Sequence, residues 1–286
     1  MNTRTPRKLY GRAFSALSLS TLLLLSIAAP AVAQQSPALP ASAATQKGAA
    51  TSGATATAST PTDTVRAFYK AFRERRFRDA WALTIFRKAV EDLKPDEFEE
   101  LRPDFERLAA AVRPEIEVVG EQLSGNTATV FARVAIGDDT APPEPVNLMR
   151  ANDAWIIGDE AKQEEIKKKG KRFFFDERIE THHAEVQAMM QRIIGAEIIY
   201  ASQHGGMYTD LDGLIHAGLV PQDLKGTETT GYRFHIAIEG GGKAYVAGAE
   251  PARYGRTGLL SFYLDQFGLK SKDTGGKPFK ASPPKK

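Results

Sequence analysis

Residues 231–248 read GYRFHIAIEGGGKAYVAG, and the period within them decides the architecture of the second half of the chain. Tyr232, Phe234, Ile236 and Ile238 alternate with Arg233, His235, Ala237 and Glu239. A period of two is the mark of a strand with one buried face. Gly240-Gly241-Gly242 then supplies backbone freedom for a reversal, and Lys243–Gly248 returns as a second strand. After the AEPARYGRTG loop, residues 259–265 (LLSFYLD) read as a third strand, turned at Gln266-Phe267-Gly268.

Upstream the period lengthens to that of a helix. From near Phe175-Asp176 to about Gln203, one apolar stripe runs through Val186, Met189, Ile193, Ala196 and Tyr200. Met190, Ile194, Ile198 and Ala201 trace a second stripe beside it. Two adjoining stripes make a face broad enough to be covered by a sheet. One long helix packed on a three- or four-strand antiparallel meander is the arrangement expected for residues 180–275.

The join between helix and sheet, residues 201–221 (ASQHGGMYTDLDGLIHAGLVP), carries two histidines, a glycine pair and two aspartates. It reads as a turn. Gly205-Gly206 suits a helix C-cap, and Asp210 and Asp212 favour a turn into a short helix with Leu211, Leu214 and Ile215 facing inward. TDLDG lacks the third acidic position and the distal glutamate of a calcium-binding loop. His204-Gly205-Gly206 resembles an esterase oxyanion loop, but no G-x-S-x-G nucleophile elbow accompanies it. His182 and His183, adjacent on a helix, point about 100° apart and chelate one ion poorly. His235 falls on the outward face of its strand. His216, near a helix end, suits the local dipole.

The first half is helical before it is extended. Val65, Phe68, Tyr69 and Phe72 recur at helical spacing behind a cap at Thr62 or Asp63, and Phe77, Ala80, Trp81 and Ile85 give a second helix. Phe98, Leu101, Phe105, Leu108 and Val112 form a third stripe, which Pro103 should kink or restart. Beyond Pro114 the period falls to two, with Ala128, Val130, Ala132, Val134 and Ile136 facing inward after a Ser124-Gly125-Asn126 turn. Val146–Met149 and Ala154–Ile157 pair around Ala151-Asn152-Asp153. Helices followed by antiparallel strands give an α+β class in both halves.

Three segments carry a resemblance: residues 64–84 (TVRAFYKAFRERRFRDAWALT), 124–134 (SGNTATVFARV) and 146–159 (VNLMRANDAWIIGD). Together they resemble the cone-shaped domains of the nuclear-transport-factor-2-like superfamily, above all secreted bacterial members whose last strand ends in a "dggWkI" pattern. The likeness covers about residues 61–161. It implies a helix-plus-curved-sheet cone, which in the ketosteroid-isomerase-type enzymes and dehydratases holds carboxylate, tyrosine or histidine groups. This segment has no histidine. Tyr69, Asp104 and Trp81 are the candidate cavity residues. Asp79 lies in the charged RERRFRDAW stretch, where an exposed carboxylate is expected, and Trp81 and Trp155 also read as core.

Residues 196–220, the GYRFHI strand and GLLSFYLDQFG carry a second resemblance, spanning about residues 180–273, to the globular heads of type II secretion pseudopilins and type IV pilin-like proteins. Those proteins enter the membrane through a hydrophobic N-terminal helix processed by a prepilin peptidase. Here a hundred-residue domain precedes the pilin-like helix, and Phe173-Phe174-Phe175 is too short to anchor an assembly helix. No cofactor follows from the motifs. The second resemblance brings in calcium, which some pseudopilins bind in sheet-side loops, with Asp210, Asp212 and Asp265 as candidate metal ligands.

The remaining segments concern address and linkage. Arg4, Arg7, Lys8 and Arg12 precede an apolar run over residues 16–29 and Ala31-Val32-Ala33, the pattern of a signal peptide (1–33) cleaved after Ala33. The apolar run falls short of the about 20 residues a spanning helix needs, so the mature chain is not expected to span a membrane. Cleavage removes four bases and no acids, taking the formal charge from +3 to −1, which argues against nucleic acid as partner. The chain has no cysteine and hence no disulfide. Residues 34–60, rich in Ala, Ser and Thr, read as a disordered tether, residues 162–179 as a charged linker or helix start, and 276–286 as a disordered basic tail. The expectation is an exported, periplasmic or extracellular, non-enzymatic protein with an envelope protein as partner. The alternatives are a binder or enzyme acting on a small apolar ligand in the cone, or an accessory to a type II secretion or type IV pilus system.

Overall fold

The structure, a computed structural model, describes residues 60–136 and 142–279. The signal peptide, the tether up to residue 59 and the last seven residues of the tail lie outside the described residues. The chain forms two compact units whose boundary falls between Gly170 and Lys171. Both are α+β.

The first unit opens with helices α1 (Pro61–Arg73), α2 (Phe77–Ala82), α3 (Arg87–Glu91) and α4 (Pro95–Ala110). The cap of α1 is Thr60, whose hydroxyl accepts the Asp63 N–H at 3.1 Å. Neither Thr62 nor Asp63 caps it. Thr62 instead gives its N–H and hydroxyl to the Glu121 carboxylate, at 2.9 and 2.6 Å. That pair of bonds ties the start of α1 to β1 (Val112–Ser124).

Helix α4 runs through Pro103 without restarting. Pro103 is exposed, while Phe98, Leu101, Phe105 and Ala109 are buried on the opposite side. The backbone bond that proline forfeits is therefore lost on the wet face, where water replaces it, and the packed face holds the helix together.

Strands β1, β2 (Thr127–Ala135), β3 (Glu144–Ala151) and β4 (Ala154–Ile157) pair antiparallel in that order, and the sheet curls. β1 is an edge strand, which is why it tolerates Pro114, a residue with no N–H to give a ladder. Its register against β2 shifts twice, between Val112 and Glu117 and between Val118 and Gly120. Irregularities of this kind bend a strand and deepen twist. Asn152 and Asp153 close the β3–β4 hairpin with φ of 47° and 61°, the left-handed pair that a tight two-residue turn demands. Ile136, expected on the inward stripe, is 62% exposed, because β2 ends one residue earlier. Val112 belongs to β1 and not to the helix.

Inside this unit Trp81 is fully buried against four rings: Phe68, Phe72, Phe86 and Phe105, with centroids 5.3–5.9 Å away. The tip of β4 is stitched to the α2–α3 connection by Ile85 N–H to Ile157 C=O at 3.0 Å and Ile157 N–H to Leu83 C=O at 2.9 Å. Gly158 sits there at φ 126°, and a Cβ on it would fall 2.5 Å from Ile85. The charged stretch after Asp159 forms helix α5 (Glu160–Lys169), capped by the Asp159 carboxylate on the Lys162 N–H. Its one apolar anchor, Ile166, is buried, so α5 closes this unit before the chain breaks at Gly170.

The second unit begins with α6 (Arg172–Gln203), which starts some three residues earlier than the periodicity indicated. Val186, Met190, Ile193 and Ala196 are buried with Tyr232 and Phe234 of β5 (Tyr232–Glu239), Ala247 and Ala249 of β6 (Ala244–Pro251), and Phe262 and Leu264 of β7 (Leu260–Asp265). With β8 (Gly268–Asp273) the strands form an antiparallel meander in sequence order. The face of α6 is narrower at its C-terminal end than its two stripes suggest. Ile198 is 61% exposed, since the covering elements contact the 193–196–200 side there. The helix ends as expected: Gly205 and Gly206 take positive φ, and the Gly206 N–H reaches the Ala201 C=O at 2.8 Å. Helix α7 (Leu211–His216) follows.

Among the described residues no helix is long and apolar enough to cross a membrane. Truncating the ring-packed tryptophan tests the first core. Trp81→Ala should lower unfolding free energy by about 3–5 kcal/mol, read as a reduced urea midpoint at unchanged slope for the transition of the first unit.

Candidate functional site

The residues singled out from the sequence are each tied into local structure. Trp81 is the hub of the aromatic cluster. Tyr69 is buried on α1, edge-on to Phe68 at 4.9 Å, and burial followed by the charge of Glu144 pushes its phenol well above the ordinary range. Asp104, half-buried on α4, lies 3.7 Å from Arg107 one turn on. Asp79 is exposed and pairs with Arg76 at 2.8 Å. Trp155 is half-buried, with the Arg150 guanidinium 5.9 Å from its ring centroid.

The three aspartates proposed for calcium go to three different tasks. Asp210 caps α7 by accepting the Gly213 N–H at 2.9 Å. Asp212 pairs with Lys225 at 2.7 Å, which holds its carboxyl below the usual range. Asp265 accepts the Phe267 N–H at 2.8 Å in the β7–β8 turn and lies 3.6 Å from Lys270. Among the described residues no group of three or more histidine, aspartate or glutamate side chains is arranged to hold a metal ion.

Of the histidines, His204 stacks on Tyr200 with centroids 3.8 Å apart and donates Nδ1–H to the Tyr200 carbonyl. His216 donates Nδ1–H to the Asp212 carbonyl at 2.7 Å. His235 is exposed on the outward face of β5, as its alternation indicates, and lies 3.4 Å from Glu250. Arg233 approaches the other oxygen of Glu250 at 3.6 Å, directly across the β5–β6 ladder. His182 and His183 both turn toward the β6–β7 connection.

The feature missed from sequence is Glu197. It sits on the buried side of α6 between Ile193 and Tyr200 and is wholly inaccessible. Its Oε2 accepts the Thr209 N–H at 3.2 Å, while Oε1 has no hydrogen-bond partner among the described residues. Around it lie Asp210, whose charge opposes ionisation, and Tyr245 of β6, packed at 5.0 Å against Tyr208. Burial first, and Asp210 second, raise Glu197 from 4.5 to about 7 against the favourable Thr209 bond. Burial and the Glu197 charge push Tyr245 up to about 12. A carboxyl in this setting is half-protonated near neutrality, able to hold or release one proton within the helix–loop junction. The signal was present in the sequence: an acidic residue four positions after Ile193 and three before Tyr200, on a stripe otherwise apolar.

No family model matches the chain, and no curated protein matches it. Among solved structures, an NTF2-like transpeptidase from Campylobacter jejuni aligns at 15% identity over 35% of this chain and 98% of that one, with a TM-score of 0.25. A likeness at that level carries no argument.

Two measurements check this geometry. Because Glu197 titrates higher folded than unfolded, the stability it lends is complete below pH 4.5 and lost as pH rises through about 7. Glu197→Gln keeps an acceptor for Thr209 and removes the charge, so it should gain about 1–3 kcal/mol at alkaline pH over wild type. The gain should vanish near the ordinary glutamate pKa, as denaturation curves across pH will read. Asp210→Ala should cost about 1 kcal/mol through the lost cap, equally with calcium and with chelator.

Proposed function

We propose that this chain is an exported, non-enzymatic protein of the cell envelope whose two α+β units act as an interaction or scaffold module. One observation supports the reading above others: several of the side chains that looked chemically capable are spent on backbone. Asp210 caps a helix, Asp265 shapes a turn, and His182, His204 and His216 each donate to a main-chain carbonyl. Groups committed in this way hold loops in place and are not poised around a common reacting atom. The signal-peptide pattern of residues 1–33 supplies the address.

Within this proposal the first unit is a cone of the nuclear-transport-factor-2-like type. Its support is the order of helices before a curled antiparallel sheet, together with the segments quoted from residues 64–84, 124–134 and 146–159. The second unit is a pilin-like head without its assembly helix, supported by a 32-residue helix laid on a four-strand meander. A second reading, a small apolar ligand held in the first unit, has one observation in its favour. Tyr69 is a buried phenol that feels the charge of Glu144, a polar group set in a largely apolar interior.

The proposal is tested in two steps. N-terminal sequencing of the protein from the envelope fraction should give a chain beginning at Gln34. Photo-crosslinkers placed at the exposed apolar positions Ile198 and Phe267 should trap the same partner protein in repeated experiments, while the purified chain turns over no substrate offered to it. Retention in the cytoplasm with Met1 intact, or catalytic turnover by the pure chain, overturns it.

A further inference from the structure

The connection between β6 and β7 is fastened to the N-terminal half of α6 by side chains from the helix. The Arg172 guanidinium donates to the Gly255 carbonyl at 3.1 Å. Arg256, on the loop, lies with its guanidinium 4.2 Å from the Phe175 ring centroid. His182, buried, donates Nδ1–H to the Thr257 carbonyl at 2.8 Å. Gly231 makes room for that ring: at φ 68°, a Cβ there would fall 2.7 Å from His182 Nδ1. The unusual contact is that of His183, whose Nε2 accepts two backbone N–H groups, Leu259 at 3.1 Å and Leu260 at 3.2 Å.

An imidazole nitrogen that accepts two N–H donors carries no proton of its own. His183 is therefore neutral and protonated at Nδ1. Adding a proton at Nε2 would turn the acceptor into a third donor facing two others, with no acceptor among the three. We propose that His183, supported by His182, is an acid-sensitive latch: near neutral pH it pins the β6–β7 connection to α6, and protonation at Nε2 releases it.

The surroundings fit that behaviour. The groups facing His183 are Glu180 one turn back on the same helix, Tyr232 of β5 and Phe262 of β7, with ring centroids 6.5 and 6.2 Å away. The loop that it holds carries Arg253 and Arg256. Burial lowers the imidazole below its ordinary value, and Glu180 opposes this. A group depressed in the folded state lends stability above its unfolded value, lost as pH falls through the folded one. The latch therefore weakens on acidification, opposite in sense to Glu197 in the same unit. What loosens is the end of the connection at Leu259 and Leu260, where the chain enters β7, while Arg253-Tyr254-Gly255-Arg256 keeps the Arg172 bond to Gly255 and the Tyr254 hydroxyl bond to Asp273 at 2.9 Å.

Amide hydrogen exchange on the mature chain tests the latch, at about pH 7.5 and about pH 5, with rates corrected for intrinsic exchange. Protection of the Leu259 and Leu260 amides should fall at least roughly tenfold at the lower pH, while amides of the β5–β6 ladder keep theirs. In His183→Gln the side-chain oxygen reaches the position of Nε2, accepts the same donors and does not titrate. That variant should hold its protection at both values. Should it not fold, the wild-type imidazole nitrogen shifts give the same reading, because loss of protection must follow the titration of His183. Unchanged protection, an equal loss in His183→Gln, or a loss that tracks another group overturns the inference.

Discussion

Burial of one stripe of α6 under the β5–β8 meander is the constraint on which the second unit depends. Val186, Met190 and Ile193 occupy a line that Tyr232, Phe234, Ala249 and Phe262 cover from the sheet. Fully burying such aliphatic and aromatic side chains contributes about 1.5–3 kcal/mol each, so this line outweighs any surface ion pair in the unit, where the median contribution is about 0–1 kcal/mol. The exposed pair Arg172–Asp176 is an example of the weaker kind. The first unit reaches the same end with rings, Trp81 being surrounded by phenylalanines from α1, α3 and α4 or their flanks.

Once those cores are closed, the polar groups trapped beside them acquire properties that they would not have in water. Glu197 is held on α6 because its neighbours on the stripe must be buried, and among the described residues it meets one N–H there. A carboxylate is costly in that position, so its proton is retained up to near neutrality. His183 lies in the N-terminal half of the same helix, between aromatic rings and two backbone donors, and is held neutral. The two groups place opposite demands on pH in the two halves of one element. Near neutrality His183 keeps its neutral form, whereas Glu197 is already half-ionised.

The same packing explains why the aspartates that resemble a metal loop do not form one. A cap, an ion pair and a turn each take a carboxylate at a separate place, and each satisfies a donor that would otherwise be left open. The charged stretch of α5 reads from composition as a linker or a helix start, and local bonds decide for the helix. It has a single buried side chain, Ile166, and the Asp159 cap with its i,i+3 and i,i+4 pairs holds it.

By itself, the sequence determined the α+β class, the long helix and its glycine stop, the pairing around Asn152-Asp153 and the alternation of β5 as far as Ile236, beyond which Ile238 is exposed. All of these rest on local rules: the period of apolar residues, the conformational freedom of glycine and the preference of short polar side chains for caps and turns. Tertiary structure alone decided which parts of a stripe are covered, so Ile198 and Ile136 proved exposed, and it alone brought Thr62 to Glu121, Thr209 to Glu197 and the amides of Leu259 and Leu260 to His183. Those pairs lie between 12 and 77 residues apart in the chain. Periodicity reports which face of an element is apolar, but not what arrives on that face, and a side chain's charge state is set by what arrives.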